Sequence, residues 1–159
     1  MIKNLAQNDP ENLTKAAAIA QLSRLRDAKY KSLYEKSVKL PSRAVKIAAA
    51  SALVALDPSQ AGQYIDMIDL KGLSFEQFMP FYPYILKSRN EKYLPVLLDK
   101  VIYYPLYPEQ YQAPIKEGFT WLMSVDNTEY TKKVTKSLSN VFGWLNGREI
   151  GRASCRERV

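Results

Sequence analysis

The stretch VKIAAASALVAL, Val45–Leu56, has a near-copy earlier in the chain, TKAAAIAQLSRL, Thr14–Leu25. At an offset of 31 residues the two share Lys15/Lys46, Ala17/Ala48, Ala18/Ala49, Leu22/Leu53 and Leu25/Leu56. Small residues at helical spacing let two helices approach closely, and the leucines that follow fill the space between them. A supersecondary unit that recurs at about this period marks a helical solenoid, in which each unit buries its apolar face against its neighbours. The pattern specifies architecture and carries no chemistry.

Outward from these copies, Asp9-Pro10 announces a first helix over Asn12–Leu25, with Ala16, Ala17, Ile19, Ala20, Leu22 and Leu25 as its buried stripe. After a break at Arg26-Asp27, Tyr30, Leu33, Tyr34 and Val38 recur at helical spacing and predict a second helix over Ala28–Lys39. Leu40-Pro41 ends it, because the residue before a proline is pushed out of the α region, and Ser42 is placed to cap a third helix, Arg43–Leu56. Asp57-Pro58 repeats the signal and opens a short helix of about Ser59–Ile68, followed by a turn at Lys71-Gly72.

Ser74 and Gln77 have the spacing of a capping box, which opens a helix over Ser74–Ser88 with a kink or break expected near Pro80. The next helix, Asn90–Tyr104, echoes the second: at an offset of 63 residues Lys29, Tyr30 and Val38 meet Lys92, Tyr93 and Val101. A connector at Tyr104–Pro108, a helix at Glu109–Ser124, a cap at Asp126-Asn127 and a helix at Thr128–Leu145 complete the chain. No segment alternates at period two for long enough to predict a strand. The expected fold is all-α, a right-handed α-solenoid of about four helix pairs.

The 159 residues suffice for one domain with a real core, and an apolar content of 47% excludes disorder. No apolar run approaches the roughly 20 residues that span a bilayer, and the first dozen residues lack the pattern of a signal peptide. The pattern breaks near the C-terminus. Ile150–Val159, IGRASCRERV, resembles an in-frame translation of a short-read sequencing adapter, so the expected organisation is a domain over 1–147 cut from a longer chain, with a non-native or disordered tail over 148–159. Cys155, the one cysteine, lies in that tail, as do Arg152, Arg156, Arg158 and Glu157, whose net of +2 lowers the chain's +7 to +5 when excluded.

The chain has no histidine, which removes Ser-His-Asp and Cys-His constellations and the H-E-x-x-H zinc motif. No glycine-rich phosphate loop is present. Asp66 and Asp69 lie one helical turn apart and are expected to be a solvated pair. Between residues 24 and 46 stand Arg24, Arg26, Lys29, Lys31, Lys36, Lys39, Arg43 and Lys46 against only Asp27 and Glu35. Such a face can follow a phosphate backbone, but a solvated outer surface is the favoured reading over nucleic acid. Phe75, Phe78, Phe81, Tyr82, Tyr84, Tyr103, Tyr104, Tyr107 and Tyr111 interleave with prolines over 75–111 and are read as packing a broken helix pair rather than as a peptide groove. Trp121 and Trp144 read as core.

The alanine-rich first helix, the Asp-led turn and the Lys-Tyr-rich second helix resemble HEAT-type repeats of the compact variety, over residues 9–103 above all. More narrowly, residues 9–38, residues 42–61 and the helix pairs from Phe75 onward resemble the C-terminal helical domain of bacterial M1-family zinc aminopeptidases. The resemblance implies a non-catalytic region that packs on the catalytic domain of the same parent chain, shapes the substrate chamber and meets peptide substrate only indirectly. The family's H-E-x-x-H and G-x-M-E-N motifs match no position here, so no catalytic, cofactor-binding or metal residue is assigned, and the zinc it implies belongs to the parent enzyme. The alternative is a stand-alone repeat scaffold holding a protein or nucleic acid on one face. The sequence does not set the compartment.

Overall fold

The computed structural model describes residues 1–101, 109–125, 129, 132–136 and 139. Among these residues every regular element is helical and no strand occurs. They fall into two compact units, Met1–Asn90 and a second beginning at Glu91.

The first unit opens with α1 (Ile2–Asn8), a helix that the sequence pattern does not announce because Asp9-Pro10 points only forward. α2 (Asn12–Ser23) follows, with Glu11 at its N-cap position; the Glu11 backbone N–H donates to Asp9 Oδ1 at 2.8 Å, so Asp9 shapes the entry turn instead of capping. α2 ends two residues earlier than expected. Arg26 then adopts a left-handed backbone, φ 48°, which turns the chain away from the helix axis and leaves Leu25 62% exposed. The buried face of α2 is correspondingly narrower than the expected stripe. Ala18, Ile19 and Leu22 are buried, whereas Ala17 and Ala20 are exposed.

The expected second helix divides into a 3-10 turn, Ala28–Tyr30, and α3 (Lys31–Ser37). Asp27 starts that turn by accepting the Lys29 backbone N–H at 3.0 Å. On α3 and its C-cap Tyr34, Ser37 and Val38 are buried, while Tyr30 and Leu33 are half-buried.

α4 (Arg43–Leu56) has the expected bounds, because alanine, leucine and valine run through it without a glycine or proline and Asp57-Pro58 stops it. Ser42 occupies its N-cap position, but its hydroxyl makes no capping hydrogen bond. Val45, Ala49, Ala50, Leu53 and Val54 are fully buried. α4 packs on α2 and on α3, so the two near-copies that flag the repeat lie against each other, with Ala18, Ile19 and Leu22 matched at the same offset by buried Ala49, Ala50 and Leu53.

A 3-10 turn, Pro58–Gln60, and α5 (Ala61–Ile65) replace the longer helix expected there. The turn at Lys71-Gly72 forms as expected, and the Arg43 guanidinium occupies the place where a Cβ on Gly72 would fall. Ser74 and Gln77 form the capping box: the Gln77 N–H donates to Ser74 Oγ and the Ser74 N–H donates to Gln77 Oε1, at 3.3 and 3.1 Å. α6 (Phe75–Phe78) is short, the chain breaks around Pro80, and α7 (Tyr82–Ser88) carries Pro83 in its first turn, where a missing N–H costs nothing. α7 packs on α5.

In the second unit a 3-10 turn, Glu91–Tyr93, leads into α8 (Leu94–Val101), and α9 (Glu109–Ser124) has the bounds read from the sequence. The two pack together, with Leu94, Leu97, Val101, Ile115, Trp121 and Leu122 buried. Positions 132–136 are helical and Val134 is buried. The connector at 104–108, most of the expected last helix, Trp144 and the tail over 148–159 lie outside the described residues.

Candidate functional site

Some of the ionisable side chains form local pairs and others line two concavities. Lys31, at the start of α3, places its ammonium 2.8 Å from Asp57 Oδ2, and the Ser59 hydroxyl donates to the other oxygen at 2.6 Å. The Lys31 hydrogen bond, with help from Ser59, holds the Asp57 carboxyl below its ordinary range, and Asp57 in turn raises the Lys31 ammonium. Lys29 meets Asp27 at 2.5 Å and lowers it in the same way, while its ammonium lies 5.0 Å from the centre of the Tyr30 ring. These are turn-building interactions. The Asp27–Lys29 pair closes the Ala28–Tyr30 turn on itself, and the Lys31–Asp57 pair ties the start of the Pro58–Gln60 turn to the start of α3.

Tyr34 is 2% exposed, and its hydroxyl has no hydrogen-bond partner; burial pushes the phenol above its ordinary value. Among the described residues the aromatic cluster packs inward, as the sequence predicts, rather than lining a groove. Phe78, Phe81 and Tyr82 are buried, with the Phe78 and Tyr82 rings tilted at 5.7 Å, and Phe75 and Tyr84 are half-buried. Tyr103, Tyr104 and Tyr107 lie outside the described residues, as does the side chain of Tyr111. Asp66 and Asp69 are both exposed, and the Lys71 N–H donates to Asp69 Oδ1.

The basic stretch over residues 24–46 divides between two concavities and open surface. Lys29 and Lys36 turn toward a cleft of about 450 Å³, which Lys3 from α1 and Lys15 from α2 also line, with Tyr30 and Leu33 among its walls. Arg43 and Lys46 instead border a smaller hollow of about 230 Å³ together with Met67 and Asp69. Arg24, Arg26 and Lys39 are exposed and line neither. Sequence reasoning missed the first cleft because Lys3 and Lys15 stand outside the basic cluster and join it only through the packing of α1 on α2.

Among the described residues no group of three or more acidic, histidine or cysteine side chains converges in a way that could hold a metal ion. None of their helices is long and apolar enough to cross a membrane. No protein-family model, curated protein or solved structure matches this chain.

Proposed function

We propose that this chain is a non-catalytic helical-repeat module, the HEAT-like region of an M1-type zinc aminopeptidase that packs on the catalytic domain and helps wall the substrate chamber. The observation that carries the reading is the contact between α2 and α4, each followed by an aspartate-led 3-10 turn and a second helix. That is the packing a repeat array requires, since each unit covers the apolar face of the next. A right-handed solenoid of about four such pairs is part of the same proposal.

The residue types agree with a supporting role. With no histidine, and with Cys155 as the one cysteine, this chain offers no zinc ligand set of the kind such enzymes use. The zinc and the reaction would belong to the catalytic domain. Purified chain should therefore leave aminoacyl anilides unhydrolysed whether or not zinc is added. The deciding experiment is to read the source DNA upstream of Met1. A continuous frame containing H-E-x-x-H supports the proposal, and an in-frame stop followed by a start codon at Met1 overturns it in favour of a stand-alone scaffold.

A further inference from the structure

The cleft between α1, α2 and the 28–37 segment has a chemistry that the packing role does not use. Four lysines, Lys3, Lys15, Lys29 and Lys36, come to it from four successive helical elements, and no carboxylate lines it. Only Lys29 is compensated, by Asp27; Lys3, Lys15 and Lys36 make no ion pair with a described residue. Like charges gathered around a concave wall focus a positive potential inside it. The concavity also has an apolar side, formed by Ala6, Leu33 and Leu40 with the Tyr30 ring.

We propose that this cleft binds an organic diphosphate, the diphosphate on the lysines and the organic part against Tyr30 and Leu33. Size selects a small molecule, because about 450 Å³ falls within the range of small-ligand pockets, roughly 300–1,000 Å³. Charge density selects phosphate. In an organic diphosphate the terminal phosphoryl group carries about −1.5 to −2 charges at neutral pH and the inner one a single charge, so the two together come close to offsetting three uncompensated lysines within a small volume. An acidic peptide carries one charge per carboxylate and needs a longer segment to supply as many. Ammonium groups act as point charges and suit phosphate oxygens without the planar match that guanidinium demands.

The test is calorimetric titration of the full chain with inorganic pyrophosphate, ADP, AMP and a tetra-glutamate peptide, at low and at high salt. Saturable binding of ADP is expected, weaker at high salt. AMP should bind at least about 10-fold more weakly, the equivalent of about one lost charge-assisted contact. Pyrophosphate binding as tightly as ADP would assign the site to the free anion and overturn the organic-ligand proposal.

The double variant Lys15→Gln/Lys36→Gln should weaken ADP binding at least about 10-fold, against less than about 2-fold for Lys39→Gln/Lys87→Gln, which removes the same charge elsewhere. Equal losses in the two pairs, tighter binding of the peptide, or no saturable binding of ADP would each overturn the proposal. Backbone amide shifts of the unmutated chain on adding ADP provide a second readout, expected to concentrate at residues 3–7 and 29–40.

Discussion

The Lys31 ammonium and the Asp57 carboxylate meet at 2.8 Å across 26 positions of sequence. Asp57 closes α4 and starts the 3-10 turn at Pro58–Gln60, while Lys31 begins α3. One carboxylate thus ties the end of one helix to the start of another.

Replacing Asp57 by Asn should lower Tm at neutral pH by about 1–3 °C, the scale of a partly exposed pair. The sign of the pH dependence follows from the shifts. Asp57 titrates below its ordinary value in the folded chain, so its contribution is complete above the unfolded carboxylate value, about 3.9, and disappears as pH falls through the folded one. Lys31 titrates above its ordinary value, so its contribution is complete below about 10.4 and disappears as pH rises through the folded value. Urea midpoints from strongly acidic to strongly alkaline pH should fall at both ends in the parent chain, and less steeply in D57N. Identical profiles would refute the pairing.

Leu53→Ala should cost about 2–5 kcal/mol, because Leu53 is fully buried where α4 meets its neighbours and its loss leaves a cavity. Leu25→Ala should change stability by less than about 0.5 kcal/mol, since Leu25 is 62% exposed. Urea denaturation of the two variants checks both values, and comparable losses would show that Leu25 is covered in solution.

Arg26→Gly should stabilise the chain by up to about 1 kcal/mol, because Arg26 holds φ 48° and only glycine takes that region without a Cβ penalty. A Val replacement at the same position should destabilise it. Thermal melts of the two variants moving in the same direction would contradict the left-handed turn.

Tyr34→Phe should leave Tm unchanged or raise it by a few degrees. The hydroxyl is buried without a partner, so removing it discards a desolvation cost while keeping the ring. A clear loss of stability would reveal a bond that the hydroxyl makes in solution.

Ser74→Ala should cost about 1 kcal/mol by opening the capping box with Gln77. Gly in the same place should cost only a few tenths, which distinguishes loss of the cap from other damage to the turn.

Much of this architecture was legible in the sequence because its signals are local. Arg43–Leu56 and Glu109–Ser124 have their predicted bounds, the capping box at Ser74 forms, and the chain breaks near Pro80. The offset of 63 residues between Lys29-Tyr30 and Lys92-Tyr93 reappears as geometry. Each lysine lies over the next tyrosine ring, at 5.0 and 4.9 Å, and Arg26 and Arg89 share φ 48° at the same spacing. α1 was not legible, since short helices carry little periodicity and gain their stability from what they pack against.

The all-helical class and the placing of α4, α9, the Ser74 capping box and the break near Pro80 were determined by the sequence alone, because spacing, caps and prolines act within a turn or two of their own position. Which lysines share a concavity was decided only by the tertiary structure. Lys3 and Lys15 lie far from Lys36 along the chain, and their charges meet at one cleft because α1 packs on α2. Hydrophobic burial drives that packing, and it is indifferent to the charges it brings together on the outer side.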